Sequence, residues 1–209
     1  PLNETDYLRF VATAPWSEVS GSLAVFGRNA QVHGFGYGDS SLHVMPLNRL
    51  LSPVYAFRVF SPAATPPGER WFMGLLLYKA HPEYGSKQLP ILLLAQGGRW
   101  VFTAQGFSLA PLDPVTDTAV PYPYPTRYAV LCEWQGYRLA GEYTVERLYH
   151  YSDVFEKIPP FFRKIALELH LKRPVYFRYR GSFQGTLRRP DGTSAKLDLS
   201  GQGEYSLLL

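Results

Sequence analysis

Hydrophobic and polar residues alternate one for one through most of this chain, and the alternating runs are short and closely spaced. Such a period of two predicts β-strands with one buried face. Runs at 6–14, 19–26 and 31–37 predict a three-strand meander, with a turn at Pro15-Trp16 and a hairpin connection at Gly27-Arg28-Asn29. Further strands are predicted at 54–60, 71–78, 89–96 and 99–105, the last pair joined by Gly97-Gly98, then at 127–134 and 137–151 around Gln135-Gly136. The chain closes with strands at 175–179, 182–187, 195–199 and 204–208, with a turn at Pro190-Asp191-Gly192. Within 54–60, Val54, Ala56, Arg58 and Phe60 fall on one face and Tyr55, Phe57 and Val59 on the other.

Three stretches depart from alternation. Residues 47–51 read as a helical turn before Pro53, and 111–125, rich in proline, as a long surface loop. Residues 159–171 read as the one helix, because Pro159 and Pro160 suit a helix start and Phe161, Phe162, Ile165 and Leu169 share a face. The expectation is an all-β chain, an antiparallel barrel or meander with one short helix.

Composition fits a folded domain. Of 209 residues, 46% are hydrophobic and 15% aromatic, with fifteen tyrosines and thirteen phenylalanines, enough to line or fill a large interior. The lone Cys132 excludes an internal disulfide and a cysteine-based zinc site. A net charge of +4 mildly favours anionic partners, and the arginines between 173 and 189 are divided between two faces by alternation, which argues against nucleic acid. Apolar runs are too short to span a bilayer as helices. Compartment is not legible. No metal or cofactor motif is present: glycines 34, 36 and 38 do not open a helix, and no Gly-x-Ser-x-Gly elbow occurs.

The stretch 32–47 concentrates the candidate chemistry. Glycines 34, 36 and 38 sit among His33, Tyr37, Asp39 and His43, and the stretch reads as a strand running into a functional corner. Asp39 is a candidate general acid if burial keeps it protonated, while Asp39-Ser40-Ser41 reads equally as an Asx turn. Arg58 and Arg127 are candidate clamps for an anionic ligand head, and Tyr55, Phe57, Tyr143 and Glu204 are further candidate ligand contacts. Glu142, Glu146 and His150 share a face, opposite Leu139, Tyr143, Val145 and Tyr149. Basic residues around the apolar stripe of 157–173 make that segment a candidate lid or membrane-surface contact.

Gly36-Tyr37-Gly38-Asp39, Tyr179-Arg180-Gly181-x-x-x-Gly185 and Gly201-Gln202-Gly203-Glu204-Tyr205 together resemble the lipocalin-like family that includes carotenoid 1,2-hydratases and AttH-type hydrolases, with lipocalin-like Diels–Alderases as more distant relatives. The resemblance implies a β-barrel pocket for a large apolar molecule (isoprenoid, polyketide or lipid), with Asp39 as the acid for hydration, cyclisation or isomerisation and Tyr37 lining the pocket. The family's Asp-His-Asn-Trp-Gly continuation is Asp39-Ser40-Ser41-Leu42-His43 here, without the tryptophan that would stabilise a carbocation. Because the family carries this motif past mid-protein, the resemblance also implies that residues 1–46 end a preceding domain and that 1–209 is otherwise one lipocalin-like unit. An enzyme and a membrane-associated carrier both remain open readings.

Overall fold

A computed structural model describes residues 8–43, 51–117, 120–168 and 173–208. Eleven strands dominate them: β1 (Leu8–Val25), β2 (Arg28–His43), β3 (Leu51–Phe60), β4 (Trp71–Ala80), β5 (Gln88–Gln96), β6 (Arg99–Ala104), β7 (Ser108–Asp117), β8 (Val120–Trp134), β9 (Tyr137–Asp153), β10 (Pro174–Arg188) and β11 (Ser194–Leu208). One helix, α1 (Pro160–Glu168), precedes β10. The turns at Gly97-Gly98 and Gln135-Gly136 form as expected, with Gln135 and all three glycines at positive φ.

β3 to β11 form one antiparallel sheet in the order 6-5-4-3-11-10-9-8-7. Every neighbouring pair is consecutive in the chain except β3–β11, so the sheet is a meander whose first and last strands meet in the middle. The sheet curls around a single core drawn from all nine strands. It does not close into a barrel. β6 and β7 are its two edges, and the β6 edge is met through side chains: the Phe102 and Tyr137 rings stack at 4.9 Å.

Aromatic side chains occupy much of the interior among the described residues. Phe57, Tyr128, Tyr143, Tyr179, Phe177 and Phe183 are fully buried within it, and the Tyr128 and Tyr179 hydroxyls hydrogen-bond to each other. These rings lie flat on glycine backbone: a methyl group at Gly181 would sit 2.6 Å from the Tyr143 ring, and one at Gly185 2.8 Å from Phe183. Much of the space expected inside a barrel is therefore taken by the protein's own aromatic side chains.

Several sequence expectations give way. The 111–125 stretch is no loop, because β7 and β8 pair through it, Pro114 opposite Pro125 and Val115 opposite Tyr124. Its prolines are tolerated because β7 is an edge strand and β8 meets β9 only from Arg127 onward, leaving one side of 120–126 without a ladder partner. The strands expected at 175–179 and 182–187, and at 195–199 and 204–208, are continuous as β10 and β11. The expected helical turn at 47–51 lies outside the described residues except for Leu51, which opens β3. Where described, α1 turns Phe161 and Phe162 to solvent, and Ala166 is buried instead.

Residues 8–43 make one long hairpin, not three strands. β1 remains extended through Pro15-Trp16, where register shifts absorb the irregularity. Phe10, Ala12, Trp16 and Tyr37 pack on the outer face of β3–β5, against Phe60, Phe72, Ile91, Leu93 and Ala95. β4 is consequently covered on both faces, which explains the nearly unbroken apolar run Trp71–Tyr78. Beyond that contact the hairpin stands away from the sheet, with residues 18–33 exposed.

Candidate functional site

β2 is strand throughout, so no corner forms at its glycines and Asp39-Ser40-Ser41 makes no Asx turn. Alternation instead places His33, Phe35, Tyr37, Asp39 and Ser41 on one face, with glycines 34, 36 and 38 behind them. Phe35, Tyr37, Asp39 and Ser41 border recesses between the hairpin and the outer face of the sheet.

That face is organised in cross-strand rows fixed by register. Arg58 of β3 lies opposite Gln202 of β11, which lies opposite Arg180 of β10; Ala56, Glu204 and Arg178 form the next row, and Val54, Ser206 and Tyr176 the third. An ionic chain runs across them. Arg58 Nη2 donates to Asp39 Oδ2 at 3.2 Å, Arg58 Nη1 is 3.7 Å from Glu204 Oε2, and Arg178 Nε is 3.0 Å from Glu204 Oε1. Gln202 Nε2 donates to Glu204 Oε1 at 2.7 Å. The first two pairs are less than a third exposed, so solvent screens them only partly.

Beside this chain lies a cleft of about 290 Å³, bounded by Phe10, Val54, Ala56, Tyr78, Tyr176 and Leu207 as well as Asp39, Arg58 and Glu204. Ala56 opens its floor, being the smallest side chain in the three rows. A second groove of about 480 Å³ shares Asp39 and Arg58 and runs past Tyr37 to Gln202. Apolar walls with a few convergent polar groups are the usual make-up of small-molecule sites.

Two phenols adjoin the chain. Tyr37 stacks on Phe72 at 4.7 Å, and its hydroxyl is enclosed without a hydrogen-bond partner of standard geometry. Burial first, then the Asp39 charge, pushes its acidity far down; Arg58 opposes and Tyr78 adds to the effect. Tyr78 is pushed up to about 12, again mainly by burial, with Arg58 opposing and Asp39 and Glu204 reinforcing. Both therefore keep their protons at neutral pH. Asp39 accepts from Arg58.

Of the residues anticipated from sequence, Tyr37, Asp39, Arg58 and Glu204 converge. The others do not join them. Phe57 and Tyr143 fill the core, and Tyr55 stacks on Tyr205 at 5.0 Å against that core. Arg127 pairs with Asp113 and Glu142 on the surface, and His33 sits 3.2 Å from Glu18, largely exposed. The His43 side chain lies outside the described residues. Phe10, Ala56, Tyr78, Tyr176 and Arg178 were missed, because only the register of β4, β3, β11 and β10, with β1 packed on that face, brings them together.

No protein-family model matches this sequence, and no curated protein sequence does. Solved structures share the fold. CghA bound to Sch210972 superposes with a TM-score of 0.65 at 10% identity, covering all of this chain and 56% of that one. CghA alone gives 0.61 at 10% identity, with 100% and 55% covered. A protein described as AttH from Nitrosomonas europaea gives 0.54 at 15% identity, with 96% and 51% covered. The chain thus has the lipocalin-like fold of CghA and AttH, and it spans about half the length of those structures.

Proposed function

We propose that this protein binds a small, largely apolar organic molecule, of isoprenoid, polyketide or lipid character, on the outer face of its sheet beneath the β1–β2 hairpin. The observation that carries the reading is the convergence of Asp39, Arg58 and Glu204 on an apolar-walled cleft at the place where the hairpin overhangs the sheet. The aromatic side chains packed inside the sheet support placing the ligand on this face. Arg58 and the Tyr78 hydroxyl offer donors to a carbonyl or hydroxyl, while Phe10, Val54 and Leu207 take the body. That CghA has been solved with Sch210972 adds support for small-molecule binding in this fold.

Nile red, an uncharged polycyclic ketone, is a suitable probe. Its fluorescence should rise and shift to the blue on binding, and Ala56→Trp or Leu207→Arg, each obstructing the cleft, should weaken binding at least tenfold. Phe161→Ser with Phe162→Ser should leave it unchanged. Undiminished binding by both cleft variants would reject the site.

A second reading, carbonyl isomerisation, draws on the enclosed Tyr37 hydroxyl beside Asp39: the phenol donates a hydrogen bond to a substrate carbonyl while the carboxylate takes the proton from the adjacent carbon and returns it. Incubating the protein with geranylacetone in heavy water tests it. Deuterium entering the carbons beside the carbonyl faster than in buffer alone, and slowed in Tyr37→Phe and Asp39→Asn, is the expected result; no acceleration by the wild type removes both residues from chemistry.

A further inference from the structure

Strand β9 contains two β-bulges, three residues apart, and they decide what faces the neighbouring strand. Its inward residues are Tyr143, Val145, Leu148 and Tyr151, opposite Phe183, Gly181, Tyr179 and Phe177 of β10. Simple alternation would send Arg147 into that aromatic core. The first bulge turns Glu146 and Arg147 outward together, opposite Arg180, and the second turns Tyr149 and His150 outward opposite Arg178. This also corrects the face on which Tyr149 was expected: Leu148 takes the inward place, and Tyr149 is exposed.

The outcome is a direct cross-strand arginine pair, Arg147 opposite Arg180. Like charges in that relationship repel and disfavour the pairing. Local carboxylates compensate incompletely. Arg178 has Glu204 at 3.0 Å, Arg180 reaches Glu146 only at 4.0 Å, and Arg147 has no ion-pair partner among the described residues. Among the ion pairs that join these rows, Arg58, Arg178 and Arg180 meet Asp39, Glu146 and Glu204, and Arg147 is left over.

Arg147 and Arg180 line a recess of about 410 Å³, bounded also by Tyr149, Ser200, Gly201 and Gln202. It continues into the groove beside Asp39 and Arg58, because both are bounded by Gly201 and Gln202. Along β10 the path from Tyr176, in the cleft, to Arg180 is four residues, roughly 13 Å. Guanidinium forks match the paired oxygens of a carboxylate or phosphate.

We infer that the Arg147–Arg180 recess holds the oxyanion head, carboxylate or phosphate, of the molecule whose apolar body occupies the cleft under the hairpin. The ligand class is accordingly an amphipathic acid, and the inference rests on the binding reading above. The bulges are the structural device: they carry a second arginine out of a core-facing register to a place where an anion relieves it.

Displacement of bound Nile red by dodecanol, dodecanoate and dodecyl phosphate, each below its micelle concentration, tests this. At least one anionic chain should displace the dye from the wild type at a tenfold lower concentration than dodecanol, and whichever does so better identifies the head. Arg147→Gln and Arg180→Gln should each cut that advantage below threefold while leaving dodecanol unaffected, with circular dichroism confirming the fold. In the wild type the advantage should also shrink as sodium chloride is raised. Equal displacement by all three chains overturns the anion site and leaves the cleft standing. Absence of Nile red binding to the wild type overturns both.

Discussion

Arg58 Nη2 donates to Asp39 Oδ2 at 3.2 Å, and this bond joins the hairpin to the sheet at the edge of the cleft. Arg58 also faces Glu204, so one guanidinium neutralises two partly buried carboxylates. Arg58→Met should lower stability by about 1–3 kcal/mol, since it leaves Asp39 without its cation and Glu204 with Arg178 alone. Thermal or urea unfolding measures the loss. A double-mutant cycle with Asp39→Asn should give a coupling above about 0.5 kcal/mol; strict additivity would mean that the two side chains do not sense each other.

Gly203 is held open by a ring. A methyl group there would collide with Tyr179 and come within 3.0 Å of the Tyr143 hydroxyl, whereas a methyl group at Gly21, out on the hairpin, would meet nothing within 4 Å. Gly203→Ala should therefore cost about 1–3 kcal/mol through overpacking, while Gly21→Ala should fall within about 0.5 kcal/mol of the wild type. Matching losses at the two positions would contradict the packing of aromatic rings on bare backbone.

Asp153 anchors the segment before β10, accepting from the Phe155 N–H at 2.8 Å and from Arg173 Nε at 2.6 Å, with its side chain fully enclosed. Burial alone would raise this carboxyl, but donation from Arg173 and Phe155 outweighs it and holds the group below its ordinary value. A lowered folded-state value means that the contribution is complete above the unfolded value, about 4, and is lost as pH falls through the folded-state value. Asp153→Asn should cost roughly 2–4 kcal/mol near neutral pH. The gap between wild type and variant should persist down to about pH 5 and narrow below about pH 4. A gap that widens on acidification would reverse the sign of the argument.

Much of this architecture is legible in residue order, for local reasons. The parity of 54–60 separates Arg58 from Tyr55 and Phe57, and the structure keeps that division, because a pleated strand with one face on a core permits no other. What stays hidden depends on pairing between distant segments. Arg58, Gln202 and Arg180 form one row only because β11 lies between β3 and β10, and nothing local at those positions announces it. Bulges in β9 hide differently, by shifting the spacing of inward residues from two to three at Val145, Leu148 and Tyr151. Glycines 34, 36 and 38 suggested a bend, yet they occupy the back face of a continuous strand whose front face carries the chemistry. The aromatic richness that suggested a hollow instead fills one.

The position of a bound ligand decides between an outer cleft and an inner cavity. A crystal structure with 12-bromododecanoate would locate the bromine by its anomalous scattering. That signal is expected in the cleft between Phe10, Val54, Tyr78 and Leu207; a signal inside the curled sheet, among Phe57, Tyr128 and Phe183, would contradict it.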